Sequence, residues 1–447
     1  MKDLSSGNEF KLILHFATPM LLGNVFQQLY NVVDSIVVGN FIGKEALAAV
    51  GASFPILFTL ISLVLGVAIG STIVIAQFFG AKDINNVKRT IDTLYIFLAI
   101  ASVIISIVGI TFSTDIFRLI RMPEEAIPEA VAYFNIYIGG AILFFGFNGT
   151  SAILRGLGDS KTPLYFLMLS TVLNIILDLV FIVWFGWGIK AVAAATLLAQ
   201  GIAFISVVLY LNKTHPVIKL TLRRMIFDKD IFLKGAKIGF PIGFQQAFVA
   251  LSMMAMYWLV NRFGTNATAA YSVVFRIDSF AALPAMNFAN AFSTFVGQNL
   301  GANRPERVRT GLWATFRMTT TITVTISLIA IIFNRPLMQL FTQDPAVIEI
   351  GASYLKIVAF FYITFSTMFV VGGVMRGAGD TFVPMLITFF ALWVVRIPVC
   401  YFLSEKFGYI GLWWGIPVAW VIGMSLSYLY YLTGRWKKKV VVRHDSS

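Results

Sequence analysis

Charge is scarce in this chain. Lys, Arg, Asp and Glu make up 12% of 447 residues, while 58% are hydrophobic and the mean hydropathy is +0.83. A soluble globular domain carries about 25% charged residues, so the composition excludes an ordinary soluble enzyme and makes lipid the main solvent. Cysteine is almost absent: Cys400 stands alone, which rules out an intramolecular disulfide framework and any Cys-cluster metal site. Three widely spaced histidines, His15, His215 and His444, offer no zinc pattern. Nucleotide motifs are missing too. Gly158-Asp159-Ser160-Lys161-Thr162 ends like a phosphate loop, but the glycine required before the lysine is Ser160. With no dinucleotide fingerprint, no zinc-protease motif and no nucleophile and base at workable spacing, neither a cofactor nor an enzymatic activity is expected. Any transport would have to draw on an ion gradient.

Long apolar runs are what the chain has instead. About 20 such residues span the hydrocarbon, and twelve runs qualify, at approximately 11–39, 47–79, 88–112, 128–154, 163–186, 189–211, 232–262, 268–299, 309–333, 345–375, 382–404 and 409–433. Their length and continuity predict helices rather than the short alternating strands of a lipid-facing barrel. The first run is too long for a cleaved leader, so none is expected. Basic residues outnumber acidic ones, 34 to 21, for a net charge of +13. The tail and the loops after even-numbered spans hold about three times as many Lys and Arg as the other loops, which predicts cytoplasmic termini. That topological role accounts for the positive excess, and no nucleic-acid partner is expected.

The halves repeat each other at an offset of 221 residues. Gln77, Gly80 and Ala81 recur as Gln298, Gly301 and Ala302; Arg155-Gly156-Leu157-Gly158-Asp159 and Pro163 recur as Arg376-Gly377-Ala378-Gly379-Asp380 and Pro384; Phe41-Ile42-Gly43 aligns with Arg262-Phe263-Gly264. Six spans per half, an even number, make the lobes parallel repeats related by a pseudo-two-fold axis along the membrane normal. The expected fold is an all-α polytopic membrane protein of twelve transmembrane helices. Its N-terminal lobe is placed at 1–211, a basic cytoplasmic linker at 212–237, the C-terminal lobe at 238–434 and a basic cytoplasmic tail at 435–447.

Three acidic residues, Asp34, Asp178 and Asp278, lie well inside spans. A carboxylate there needs a partner, a cation or a proton, and marks a site by default. At ~1.5 Å per residue, Asp34, Asp178, Thr196 and Tyr133 all fall ~8–12 Å below the outer membrane edge, in one layer of the N-terminal lobe. Asn174 shares a helical face with Asp178 four residues on. Two carboxylates, an amide and a hydroxyl can coordinate a small cation or hold a proton; alternatively, each satisfies its bonds with neighbouring helices. The second lobe is expected to differ, with Ala255, Val395 and Val399 at the equivalent positions. Asp278 and Arg396, at comparable depth, are expected to form a structural ion pair. Pro19, fifteen residues before Asp34, removes a helical hydrogen bond and gives either a static bend or a hinge.

The chain resembles the multidrug and toxic compound extrusion family over essentially its whole length. The residues that carry this are Pro19 ahead of Gln27-Gln28-Leu29-Tyr30-Asn31-Val32-Val33-Asp34, the paired Arg-Gly-x-Gly-Asp segments, and Arg276-Ile277-Asp278-Ser279-Phe280. The resemblance implies antiport of organic cations or other amphiphiles against protons or sodium by alternating access between two bundles. It implies a bacterial inner-membrane location, a small-molecule substrate, membrane lipid as the surrounding partner, and a monomer. Its N-lobe cation site matches Asp34, Asn174, Asp178 and Thr196, the residues that would hold sodium, with Tyr133 in the associated network and Pro19 at the bend. Where the sodium-linked branch has an acidic residue in span 7, this chain has Gln245, Gln246 and Val249. The rival readings are a flippase for lipids or lipid-linked precursors, for which Arg276, Arg317 and Arg396 are few and scattered, and a channel.

Overall fold

The computed structural model describes residues 2–42, 44–119, 122–215 and 219–442, and the side chains of all of these except 35, 36, 39, 40, 44–52, 54, 55 and 222. Gly43 of the repeat, linker residues 216–218 and tail residues 443–447 lie outside the described residues. Among the described residues there is no β-strand. Twelve helical rods follow one another: α1 (Glu9–Val37), α2 (Lys44–Gly80), α3 (Ile84–Leu119), α4 (Ile127–Gly139 and Ala141–Gly156), α5 (Lys161–Trp184), α6 (Ile189–Thr214), α7 (Lys229–Asn261), α8 (Thr265–Gly301), α9 (Pro305–Ile332), α10 (Pro345–Ala378), α11 (Phe382–Phe407) and α12 (Tyr409–Leu432). Each expected span has its rod.

Nine rods are long and apolar enough to cross a membrane singly, and the arms of α4, bent by 51° at Gly140, make a tenth among the described residues. The other two, α1 and α8, are diluted by polar side chains: Gln27, Gln28 and Asn31 in one, Asp278, Asn287 and Gln298 in the other.

The Arg-Gly-x-Gly-Asp segments are helix ends rather than nucleotide loops. Gly158 (φ +77°) and Gly379 (φ +91°) take the left-handed conformation that stops α4 and α10. In each turn the following aspartate closes the helix, Asp159 N–H donating to the Leu154 carbonyl at 2.8 Å and Asp380 N–H to that of Met375 at 2.9 Å. The first glycine of each segment serves packing. A Cβ on Gly156 would lie 2.8 Å from the Thr72 carbonyl, and one on Gly377 2.4 Å from the Ser293 carbonyl, so α4 crosses α2, and α10 crosses α8, in backbone contact. Asp159 then accepts from the backbone of Lys161 and Thr162 (3.0 Å each), nucleating α5.

π-helical turns, where one extra residue is accommodated, occur at Val38–Ile42 directly after α1, at Val180–Trp184 in α5 and at Phe390–Arg396 in α11.

The chain divides into two compact bodies, one holding Thr18–Gly243 and the other Leu4–Ala17 with Phe244 onward. In the first body the linker and the start of α7 pack on α3, with Phe232 against Phe97 (ring centroids 5.2 Å apart) and Asp228 paired to Arg89 at 3.3 Å. In the second, the start of α1 packs on α8 and α9: Glu9 pairs with Arg307 at 3.0 Å, and the Arg304 guanidinium donates to the Ser5 carbonyl at 2.6 Å.

Candidate ion-coupling site

Three helices of the first body bring polar stripes together. On α1 the stripe is Gln27, Tyr30 and Asp34; on α5 it is Ser170, Asn174 and Asp178; on α6 it is Thr196 and Gln200. Each follows the three- or four-residue spacing that aligns side chains on one helical face. Asn174, Asp178 and Thr196 are almost fully buried. The Tyr30 hydroxyl lies 2.9 Å from Thr196 Oγ1, and Asn174 Nδ2 donates to the same oxygen at 3.3 Å. Thr196 thereby ties α1 to α5 through α6.

The Asp34 and Asp178 side chains are close neighbours, and the Asn174 amide stands beside Asp178. Buried oxygens here lack donors: Asp34 Oδ1, Asn174 Oδ1, Asp178 Oδ1 and Gln200 Oε1 have no hydrogen-bond partner. A buried carboxylate oxygen without a donor is costly, and a proton or small cation is what relieves it. Among the described residues no group of three or more His, Cys, Asp or Glu is placed to hold a metal ion, so a cation here would rely on amide and hydroxyl oxygens beside the two carboxyls. A small cleft of about 20 Å³ opens onto Tyr30, Asn174 and Thr196, with Gln27, Ser170, Thr171 and Gln200 also in its lining.

Asp34, Asn174, Asp178 and Thr196 are therefore brought together. Tyr133, on the first arm of α4, is buried near both carboxyls and stacks on Tyr137, ring centroids 6.2 Å apart. Tyr30, Tyr137, Ser170 and Gln200 were not singled out from the sequence; the signal was available in their four-residue spacing from Asp34, Tyr133, Asn174 and Thr196. Pro19 is buried inside α1, which runs through it without a break, and lies away from the polar cluster.

Asp278 and Arg396 do not pair as expected. Both oxygens of Asp278 accept phenolic hydroxyls, from Tyr354 and Tyr362 of α10, while Arg396 Nη2 donates to the Ser252 carbonyl (2.9 Å) and hydroxyl (2.7 Å) on α7. Each finds neutral partners on an adjacent helix, which sequence depth alone does not reveal. In this body the buried polar atoms left without partners are donors or a hydroxyl, namely Arg396 Nε, Trp413 Nε1 and Ser366 Oγ, the reverse of the first body.

Fold and site together define a polytopic helical membrane protein of two six-helix repeats, with a buried carboxylate pair in the first. Comparison with known proteins gives its kin. The MatE family model matches twice, over residues 19–180 and 241–402, and the chain belongs to that family. It is similar to the probable multidrug resistance proteins YoeA and YpnP of Bacillus subtilis (strain 168), at 34% identity (96% of this chain, 94% of the relative) and 33% (97% of each). Among solved structures, one described as the outward-facing conformation of a multidrug resistance MATE family transporter of the MOP superfamily superposes with a TM-score of 0.91 at 25% identity, covering 98% of this chain and 99% of that one.

The two matched segments are offset by 222 residues, one more than the motifs between them. At that offset Asp34 falls opposite Met256 and Asp178 opposite Cys400. Met256 and Cys400 are fully buried in one apolar cluster with Trp413. Where the first repeat has its carboxylate pair, the second has packed core.

Proposed function

We propose that the protein is a secondary active exporter of amphiphilic or cationic drugs, working by alternating access in the plasma membrane with both termini cytoplasmic, and that it performs no enzymatic reaction. The relatives named for multidrug resistance support the export direction. One observation carries the coupling chemistry: the Asp34 and Asp178 side chains are buried neighbours, each with an oxygen that has no donor. Two carboxylates buried side by side repel when both are charged, and a proton taken up by one of them relieves that repulsion. A proton is therefore the favoured coupling ion over sodium, a preference strengthened because the Thr196 hydroxyl already has two partners.

In this scheme the deprotonated pair attracts a cationic substrate to the cleft beside Tyr30 and Asn174. Protonation from the outer side cancels that attraction and releases the drug. Linkage requires the reverse as well, so drug binding expels the proton by the same free energy. Bending of α1 at Pro19 would couple the pair to the change of access.

The test is ethidium transport in proteoliposomes under separately imposed proton and sodium gradients. Export driven by the proton gradient and lost in Asp34→Asn is expected. Export driven by sodium alone would replace the proton with sodium, and no export under either gradient would overturn the proposal in favour of lipid translocation.

A further inference from the structure

We propose that Arg435, Lys437, Lys438 and Lys439, with Arg309, form a fixed surface that binds anionic phospholipid headgroups at the end of the last span.

The geometry begins with Gly434. Its left-handed conformation (φ +66°) ends α12, and the Thr433 and Gly434 N–H groups close the helix on the Tyr430 and Tyr431 carbonyls at 3.1 Å each. The chain then makes a 3-10 turn over Arg435–Lys439 instead of trailing away. Trp436 pins this turn. It is 3% exposed, its indole N–H donates to the Tyr431 carbonyl at 3.0 Å, and its ring stacks on Tyr431 at 5.7 Å and 10°. With the tryptophan turned inward, its four basic neighbours are turned out. All four are exposed, and among the described residues none forms an ion pair; Arg309 of α9, also exposed and not ion-paired, stands near Tyr431.

Depth identifies the partner. The turn begins three residues after Leu432, the last residue of an apolar rod, and the neighbouring Tyr428 and Tyr431 are the amphipathic rings that settle at headgroup level. Five cations at that depth lie within reach of lipid phosphates. Setting the orientation of the chain would need only the charges; holding them in one ordered array is what a headgroup surface needs.

The experiment counts lipids retained by the full-length protein in native mass spectrometry, after detergent extraction with equal phosphatidylglycerol and phosphatidylcholine of the same acyl chains. Wild type is expected to retain phosphatidylglycerol preferentially. Each charge removed in the series R435Q, K437Q, K438Q and K439Q should lower that preference about fivefold while the others remain, with higher salt acting in the same direction. W436A keeps every cation but frees the turn, and should lose most of the preference. These substitutions spare the Gly434 cap, so the melting temperature of the lysine variants should stay at the wild-type value. An undiminished preference in the fourfold variant or in W436A would overturn the proposal, as would its abolition by inorganic phosphate alone, which would mark a free-anion site.

Discussion

Tyr30 of α1 and Thr196 of α6 meet hydroxyl to hydroxyl at 2.9 Å, and the same threonine oxygen accepts from Asn174 of α5. In the polar layer α1 is thus tied to α6 by a neutral hydrogen bond, which is weak enough to exchange. Interhelical hydrogen bonds in membranes average about 0.6 kcal/mol in double-mutant cycles. Tyr30→Phe and Thr196→Val should therefore each destabilise the protein by about 1 kcal/mol or less, with a coupling of about 0.6 kcal/mol between them. Urea or heat denaturation of the purified single and double variants checks this.

Asp34→Asn should remove gradient-dependent efflux by at least about tenfold, because an amide neither carries the exchanged proton nor attracts a cation. Its melting temperature in detergent should match wild type or exceed it, since a buried charge is removed. Collapse of the protein instead of its transport would make Asp34 a structural residue.

Drug binding should release protons. Calorimetric titration with ethidium, repeated in buffers of different ionisation enthalpy, should give apparent enthalpies that vary linearly with the buffer's, and the variation should vanish in the Asp34→Asn/Asp178→Asn double variant. By the same linkage, binding should tighten as pH rises and the pair empties.

The Asp278 cluster should answer in stability. Tyr354→Phe or Tyr362→Phe leaves one buried carboxylate oxygen without its donor, a loss of about 1–3 kcal/mol. Thermal unfolding should move down accordingly, while the ion whose gradient drives transport stays the same. A change of driving ion in either variant would place Asp278 in the coupling machinery.

Gly156→Ala and Gly377→Ala test the helix crossings. The new methyl would meet a carbonyl oxygen at 2.8 Å and 2.4 Å respectively, so backbone must shift, and Gly377→Ala should be the more damaging of the two. Tm values of the purified variants rank them.

Most of the fold was legible because a bilayer imposes its own length on every span. The polar layer was legible for a related reason: carboxylates are so disfavoured in lipid that Asp34 and Asp178 stand out, and depth places them together. What depth omits is azimuth. Asp278 and Arg396 share a level yet turn to different neighbours, Tyr354 with Tyr362 and Ser252, and no count of residues from a membrane edge contains that angle. Tyr30 and Gln200 escaped for lack of charge, although their spacing from Asp34 and Thr196 was visible. The wide π-helical turns at Val38–Ile42, Val180–Trp184 and Phe390–Arg396 had no counterpart in the sequence reading, which treated every span as a regular helix.

Those wide turns absorb an extra residue locally, so the helix beyond each one keeps the face it presents. Helix faces can therefore stay common to the two halves while the side chains on them diverge, to Asp34 and Asp178 in one and to an apolar cluster holding Met256 and Cys400 in the other.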